Sequence, residues 1–218
     1  MKNLWIIGAG VCLMLAAACS QTQQGQAAGQ VNCKTQQTEE ANAVIETIMA
    51  RRSIRKYKQV PVDRDTLDVI LECGVNAPNG QNRQSWEVRV VDSPELMAEI
   101  QEAIAKGHPD IPPQFAKGCF RDAPVMVFIA RDPSYDFSAY DCGLLAENIM
   151  LSAWSMGVGS ICLGSPVRFL KDNDVCKPYL EKLKFSEGYE LCLCIGLGYA
   201  DEQPDAKPRN KEKVKFID

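Results

Sequence analysis

Arg51-Arg52-Ser53-Ile54-Arg55-Lys56-Tyr57-Lys58 is the stretch on which the reading of this chain turns. It holds five cations and no acid, in a chain of 218 residues with a formal net charge of -4. A cationic knot in an acidic chain suits a specific anion, whereas a diffuse polyanion would call for a broadly basic face. Three guanidinium groups and a hydroxyl at this density match a phosphate, which accepts several charge-assisted hydrogen bonds at once. Taken alone, the stretch reads equally well as a solvated charged turn after a helix. The acidic balance speaks against nucleic acid as a partner.

Far upstream, Lys2 precedes an apolar run from Leu4 to Leu15 and the small-residue exit Ala16-Ala17-Ala18-Cys19-Ser20. The run is too short to span a bilayer and has the form of a secretory leader. It resembles a bacterial lipoprotein signal, which implies lipidation at Cys19 and a membrane anchor. Ala16 stands where that pattern more often has Leu or Val, so ordinary cleavage near Ala18 is the alternative. The polar stretch from Ser20 to Gln37 has little to bury and reads as a tether. The expected organisation is therefore a leader over 1–18, a tether over 19–37 and one folded domain over 38–218. The expected location is the cell envelope, as an exported lipoprotein.

Downstream, Thr38 is the expected cap of a helix with Glu39 and Glu40 in its first turn. Ala41, Val44, Ile45, Ile48 and Met49 form its apolar face, and it delivers the arginine cluster at its end. Asp63 caps a second helix, which Pro78 ends. Trp86 to Val91 alternates as a half-exposed strand, and Pro94 to Lys106 reads as a helix. Gly107 to Pro124 reads as a long irregular loop exposing Phe115 and Phe120, the candidates for a substrate-side wall. Val125 to Ala130 is an expected buried strand. Ser138 is the expected cap of a helix reaching about Met156, apolar nearly all round and so expected at a subunit interface. Its stripe of Ala139, Cys142, Gly143 and Ala146 would admit another helix closely. Glu147 and Asn148 argue against a membrane span.

Gly157 to Pro166 reads as a glycine-rich turn and short strand, and its GxGxxC is not the GxGxxG of a dinucleotide fold. Tyr189 to Tyr199 reads as a buried strand, with Leu191, Leu193, Ile195 and Leu197 on one face and Cys192 and Cys194 on the other. Val214 to Ile217 reads as an edge strand. The single histidine, His108, reads as a surface loop residue. A lone histidine in a loop speaks against a Ser-His-Asp triad and against a multi-histidine metal site, and ten cysteines without a CxxC pair give neither a zinc ribbon nor a thioredoxin-type site. Set aside Cys12 and Cys19, and the remaining cysteines are expected as free thiols, packed as small hydrophobes.

Asn76-Ala77-Pro78-Asn79-Gly80-Gln81-Asn82-Arg83-Gln84-Ser85-Trp86 resembles the APSGGNRQPW signature of the flavin-dependent nitroreductase family. There, as here, it follows one helix after an RRSxRxF/Y segment. Gly157 to Pro166 resembles that family's later glycine-rich turn, and Lys207-Pro208-Arg209 its closing K-x-R. Asn79 and Ser85 replace the usual serine and proline. The resemblance implies an α+β fold, an antiparallel-dominated sheet flanked by helices, as an intertwined homodimer with FMN at each subunit interface. It implies that Arg51, Arg52, Ser53 and Arg55 hold the FMN phosphate and ribityl chain, and that Lys207 and Arg209 complete the phosphate shell. Pro78, Asn79 and Asn82 would lie against the flavin ring, and backbone groups at Leu163 and Gly164 would reach its N5 side. No side-chain acid or base is required, because the flavin carries the chemistry.

The function so implied is reduction of nitroaromatic, quinone or similar electron-poor acceptors. The electron donor would be NAD(P)H or, for an exported protein, another reductant. Reductive dehalogenation and a lipid-anchored flavoprotein that carries electrons without turning over a small substrate are the alternatives.

Overall fold

The computed structural model describes residues 42–171 and 173–217, and the compact unit begins at Ala43. The leader, Cys19, Cys33, the tether, the Thr38 cap, Glu39, Glu40 and Ala41 lie outside the described residues. At the centre is a four-stranded antiparallel sheet. Its spatial order is β1 (Trp86–Val91), β2 (Val125–Arg131), β4 (Glu190–Gly198) and β3 (Gly159–Leu163). β2 is buried along almost its whole length, as its unbroken apolar run requires.

Helices cover both faces. On one lie α2 (Arg64–Val75) and α5 (Ser138–Ser155), enclosing Leu67, Ile70, Leu145, Ile149, Val127 and Ile195. On the other, α3 (Pro94–Gly107), α4 (Pro113–Lys117), α6 (Ser165–Leu170) and α7 (Lys177–Lys182) cover Ile100, Ile104, Phe120 and Phe128. This is the expected α+β layering. α1, over 42–50, leads into the arginine segment. Asp63 caps α2 by accepting from Asp65 N and Thr66 N, and Ser93 caps α3 by accepting from Leu96 N. Among the described residues no helix is long and apolar enough to cross a membrane.

The segment from Gly107 to Pro124 is more ordered than its prolines suggest. It holds α4 and a 3-10 turn, Gly118–Phe120, and the two phenylalanines part company. Phe115 is 67% exposed, whereas Phe120 is 1% exposed and packs edge-on against Phe128 with centroids 5.9 Å apart. Phe120 is thus a core residue and no part of a substrate wall. The 3-10 turn rolls its ring inward, an effect invisible to a reading that stops at Pro and Gly.

Three further expectations are corrected. Ser138 does not cap α5: Phe137 holds that position, and the Ser138 hydroxyl is buried without a partner among the described residues. On α5, Tyr140 and Leu144 are exposed in the single chain. The close helix approach runs along Asn148 and Ser152, which bond Cys73 O and Ile70 O of α2, while Gly143 faces open space. The tail forms a 3-10 turn at Lys211–Lys213, where Asn210 accepts from Glu212 N, and Val214 to Ile217 form no strand.

The alternation expected in β4 also breaks. A bulge sets Ala130 opposite Leu191 and Ile129 opposite Leu193, leaving Cys192 as the extra residue. Leu191 and Cys194 therefore join the α3 side, while Cys192 packs toward α5. His108 is half-buried rather than a surface residue. Its Nε2 lies 2.7 Å from Phe169 O, because the helix cap turns the ring inward.

Candidate active site

The arginine segment lies across the ends of β3 and β4, held by its backbone. Ile54 N donates to Ser160 O at 2.9 Å and Lys58 N donates to Tyr199 O at 2.9 Å, while Asp201 N returns a bond to Lys56 O at 2.9 Å. Ile54 and Tyr57 point into the core and are almost fully buried. The chain can come this close because residue 159 is glycine: a Cβ there would sit 2.8 Å from Ile54 Cγ1. Tyr57 donates to Ile54 O at 2.8 Å, and burial, reinforced by the Glu202 charge, raises its phenol above the ordinary value. Glu202 also accepts from the backbone N–H of Arg55.

With those two residues anchored inward, the cations turn outward. Arg51, Arg52, Ser53 and Arg55 line a cavity of about 280 Å³, together with Lys207 and Arg209 from the far end of the chain. Two basic clusters about 150 residues apart in sequence thus meet at one place. Arg52 donates to Met49 O at 2.7 Å and Arg51 O at 2.8 Å, Arg55 to Ser53 O at 3.0 Å, and Arg209 to Lys207 O at 3.1 Å. These bonds orient the guanidinium groups and leave their charges unneutralised. Among the described residues, Arg51 alone of these has a carboxylate within ion-pair range, Glu147 at 3.5 Å, and Asp205 is the one acid in the cavity wall. A donor set of four guanidinium groups, an ammonium and a hydroxyl fits a phosphate monoester.

The second candidate segment is built differently. Around a 3-10 turn, Gly80–Asn82, the backbone takes positive φ at Gln81, Asn82 and Gln84 (55°, 54° and 50°). Such values disfavour non-glycine residues and need outside support. Asp141, on the first turn of α5 and only 3% exposed, supplies it. One carboxylate oxygen accepts from Gly80 N at 2.9 Å and the other from the Ser85 hydroxyl at 2.7 Å. Asn79 Oδ1 accepts from Gln84 N at 2.9 Å, closing the loop on itself. Arg83 stacks over Tyr135, its guanidinium carbon 4.5 Å from the ring centre.

The structure therefore brings together Arg51, Arg52, Ser53, Arg55, Lys207 and Arg209. Pro78, Asn79, Asn82, Leu163, Gly164 and Phe115 do not line that cavity. Leu163 is buried in the core, and Gly164 is exposed at the start of α6. Sequence reasoning missed Asp141, Glu202 and Tyr135. A signal existed for Asp141, which with Glu147 is the only charge on an otherwise uncharged helix.

Residues 48–199 match the sequence pattern of the nitroreductase family. An NADPH-flavin oxidoreductase of Vibrio harveyi is 31% identical over 175 residues, which are 77% of this chain and 70% of the relative. A nitroreductase from Bacteroides fragilis solved with bound FMN superposes with a TM-score of 0.73 at 26% identity, covering 80% of this chain and 98% of the other. A nitroreductase from Desulfitobacterium hafniense, also with bound FMN, gives 0.74 at 28% identity over 81% and 99%.

Proposed function

This chain belongs to the nitroreductase family, and from that premise we propose that it is an FMN-dependent oxidoreductase acting on nitroaromatic, quinone or similar electron-poor acceptors. The observation that carries the reading is the convergence of the two basic clusters in one cavity. Arg51, Arg52, Ser53 and Arg55, with Lys207 and Arg209, would hold the FMN phosphate and ribityl chain. Pro78, Asn79 and Asn82 would lie against the ring, and the backbone at Leu163 and Gly164 would reach its reactive side. Held there, FMN would supply hydride-transfer chemistry between NAD(P)H or another donor and the acceptor. The protein's own part is to neutralise the phosphate, fix the ring and keep water from it.

Since the second candidate segment lies outside the basic cavity, a second copy of the chain is the natural source of the missing wall. α1 exposes Val44, Ile45, Ile48 and Met49, α5 exposes Tyr140 and Leu144, and the tail exposes Val214, Phe216 and Ile217. Apolar area on that scale supports a homodimer. The leader and Cys19 support export and lipid anchoring, which mass spectrometry of the mature N-terminus would test.

The deciding experiment is binding of FMN against riboflavin to the purified homodimer. FMN should bind at least about tenfold more tightly, because riboflavin lacks the phosphate. Equal affinities would overturn the phosphate assignment. A monomer that retains flavin at low micromolar concentration would overturn the dimer.

A further inference from the structure

Of the four guanidinium groups around the basic cavity, Arg51 is held differently from the rest. Arg52, Arg55 and Arg209 each bond a backbone carbonyl, at distances between 2.7 and 3.1 Å. Among the described residues the Arg51 guanidinium has no such bond, and its partner is the Glu147 carboxylate, Nε to Oε1 at 3.5 Å. That separation is long for a hydrogen bond and leaves a Coulomb contact. It is made through Nε, so it does not engage the terminal fork that matches a phosphate.

Arg51 lines the cavity, whereas Glu147, on α5, does not. One cation is therefore common to the cavity and to a carboxylate outside it. The Arg51 backbone is fixed at the end of α1, where its N–H donates to Thr47 O at 2.9 Å, so only the side chain has to choose between partners. The Glu147 side chain is 47% exposed and that of Arg51 22%. Water stands ready for the carboxylate once Arg51 turns elsewhere, and an ion pair so exposed costs little to break. Asp205 sits in the cavity wall but forms no ion pair among the described residues, so competition for a cation falls to Glu147.

We propose that Glu147 is a positioning residue that competes with the ligand's phosphate for Arg51 and so tempers anion affinity. This rests on the reading of the cavity as a phosphate site. Binding moves the Arg51 guanidinium from the carboxylate to the phosphate, and Glu147 passes to water. A doubly charged anion displaces the carboxylate more readily than a singly charged one. Glu147 thus raises the selectivity of the site for a phosphate monoester over weaker anions, at the expense of affinity.

The test is a thermodynamic cycle of wild type, Glu147→Gln, Arg51→Ala and the double variant, each as the full chain stripped of flavin. FMN and riboflavin affinities are read from quenching of flavin fluorescence, and inorganic phosphate from the rise in unfolding temperature. Glu147→Gln keeps the size of the side chain and removes its charge. It should tighten FMN about two- to fivefold, enlarge the phosphate-induced rise and leave riboflavin unchanged. In the Arg51→Ala background the same substitution should gain nothing. The proposal is overturned if Glu147→Gln fails to tighten FMN, or if riboflavin moves with FMN, as a merely structural role would require. It is also overturned if the gain persists without Arg51, which would make it a general effect of charge. A wild type that binds FMN and riboflavin equally would sink the flavin reading of the cavity instead. Inorganic phosphate then decides the role of Glu147: a rise enlarged only where Arg51 is present upholds it, and any other result overturns it.

Discussion

The arginine segment and the asparagine loop both carry candidate ligand-binding residues, yet they are held by opposite means. The arginine segment is fixed by its backbone, through bonds to Ser160 O and Tyr199 O and two buried side chains, and among the described residues its Arg52 and Arg55 have no carboxylate in ion-pair range. The asparagine loop is fixed by side chains, above all by the buried Asp141, and its own backbone is strained at three residues. The first is a robust platform for charge. The second is a shape that exists only while its support does. Substitutions should therefore separate the two, with stability falling in one region and anion affinity in the other.

The largest effect is expected at Asp141. Asp141→Ala leaves Gly80 N–H and the Ser85 hydroxyl without their buried acceptor, which should cost about 2–4 kcal/mol in urea unfolding. Asp141→Asn keeps an acceptor and should recover part of the loss. A cost below about 0.5 kcal/mol for the alanine variant would mean that the loop holds itself, and the contrast would fail.

On the platform, Arg52→Ala or Arg209→Ala should weaken FMN binding by about 1.5–3 kcal/mol, roughly ten- to a hundredfold. Unfolding should move by less than about 0.5 kcal/mol, since both guanidinium groups bond only exposed or half-buried carbonyls. Riboflavin binding should be nearly unaffected. Equal losses for both ligands would point to a structural role.

The platform's weak point lies beneath it. Gly159→Ala places a methyl group 2.8 Å from Ile54 Cγ1 and 3.2 Å from Gly198 O. The backbone oxygen cannot retreat easily, so a net cost of about 1 kcal/mol is expected after the gain from replacing a strand glycine. FMN affinity should fall along with stability. A stabilised protein with unchanged affinity would show that the segment can shift without harm to the cavity.

How much of this was legible in the sequence follows the same division. Charge density betrayed the arginine segment, α2 followed from its Asp63 cap, β1 from alternation and β2 from an unbroken apolar run. The asparagine loop was legible only through a resemblance, because its support comes from Asp141, 59 residues after Asn82. Phe120 shows the limit of local reading: a 3-10 turn, set by packing on Phe128, decides its burial. The bulge at Cys192 shows another, since one extra residue in a ladder leaves no mark on an apolar run. The convergence of Arg51–Arg55 with Lys207 and Arg209 is a tertiary fact that charge alone could suggest but not fix.

The smallest effect concerns the outer support of the asparagine loop. Asp132 N donates to Ser85 O at 3.0 Å, and the Asp132 carboxylate accepts from the Ser134 hydroxyl at 2.6 Å and backbone N–H at 2.9 Å. These two Ser134 bonds hold its carboxyl below the ordinary value of 3.8, with the Arg83 charge helping and desolvation opposing. A depressed folded value stabilises the native state at pH values above the unfolded one, and that contribution is lost as pH falls through the folded value. Any gap between wild type and Asp132→Asn should therefore be present at neutral pH and close below pH 3.8. Asp132 is only partly buried, so the gap should be small and should shrink with added salt. An NMR titration should place the Asp132 midpoint below 3.8. A gap that widened on acidification would reverse the sign and make Asp132, rather than Asp141, the group whose charge the loop depends on.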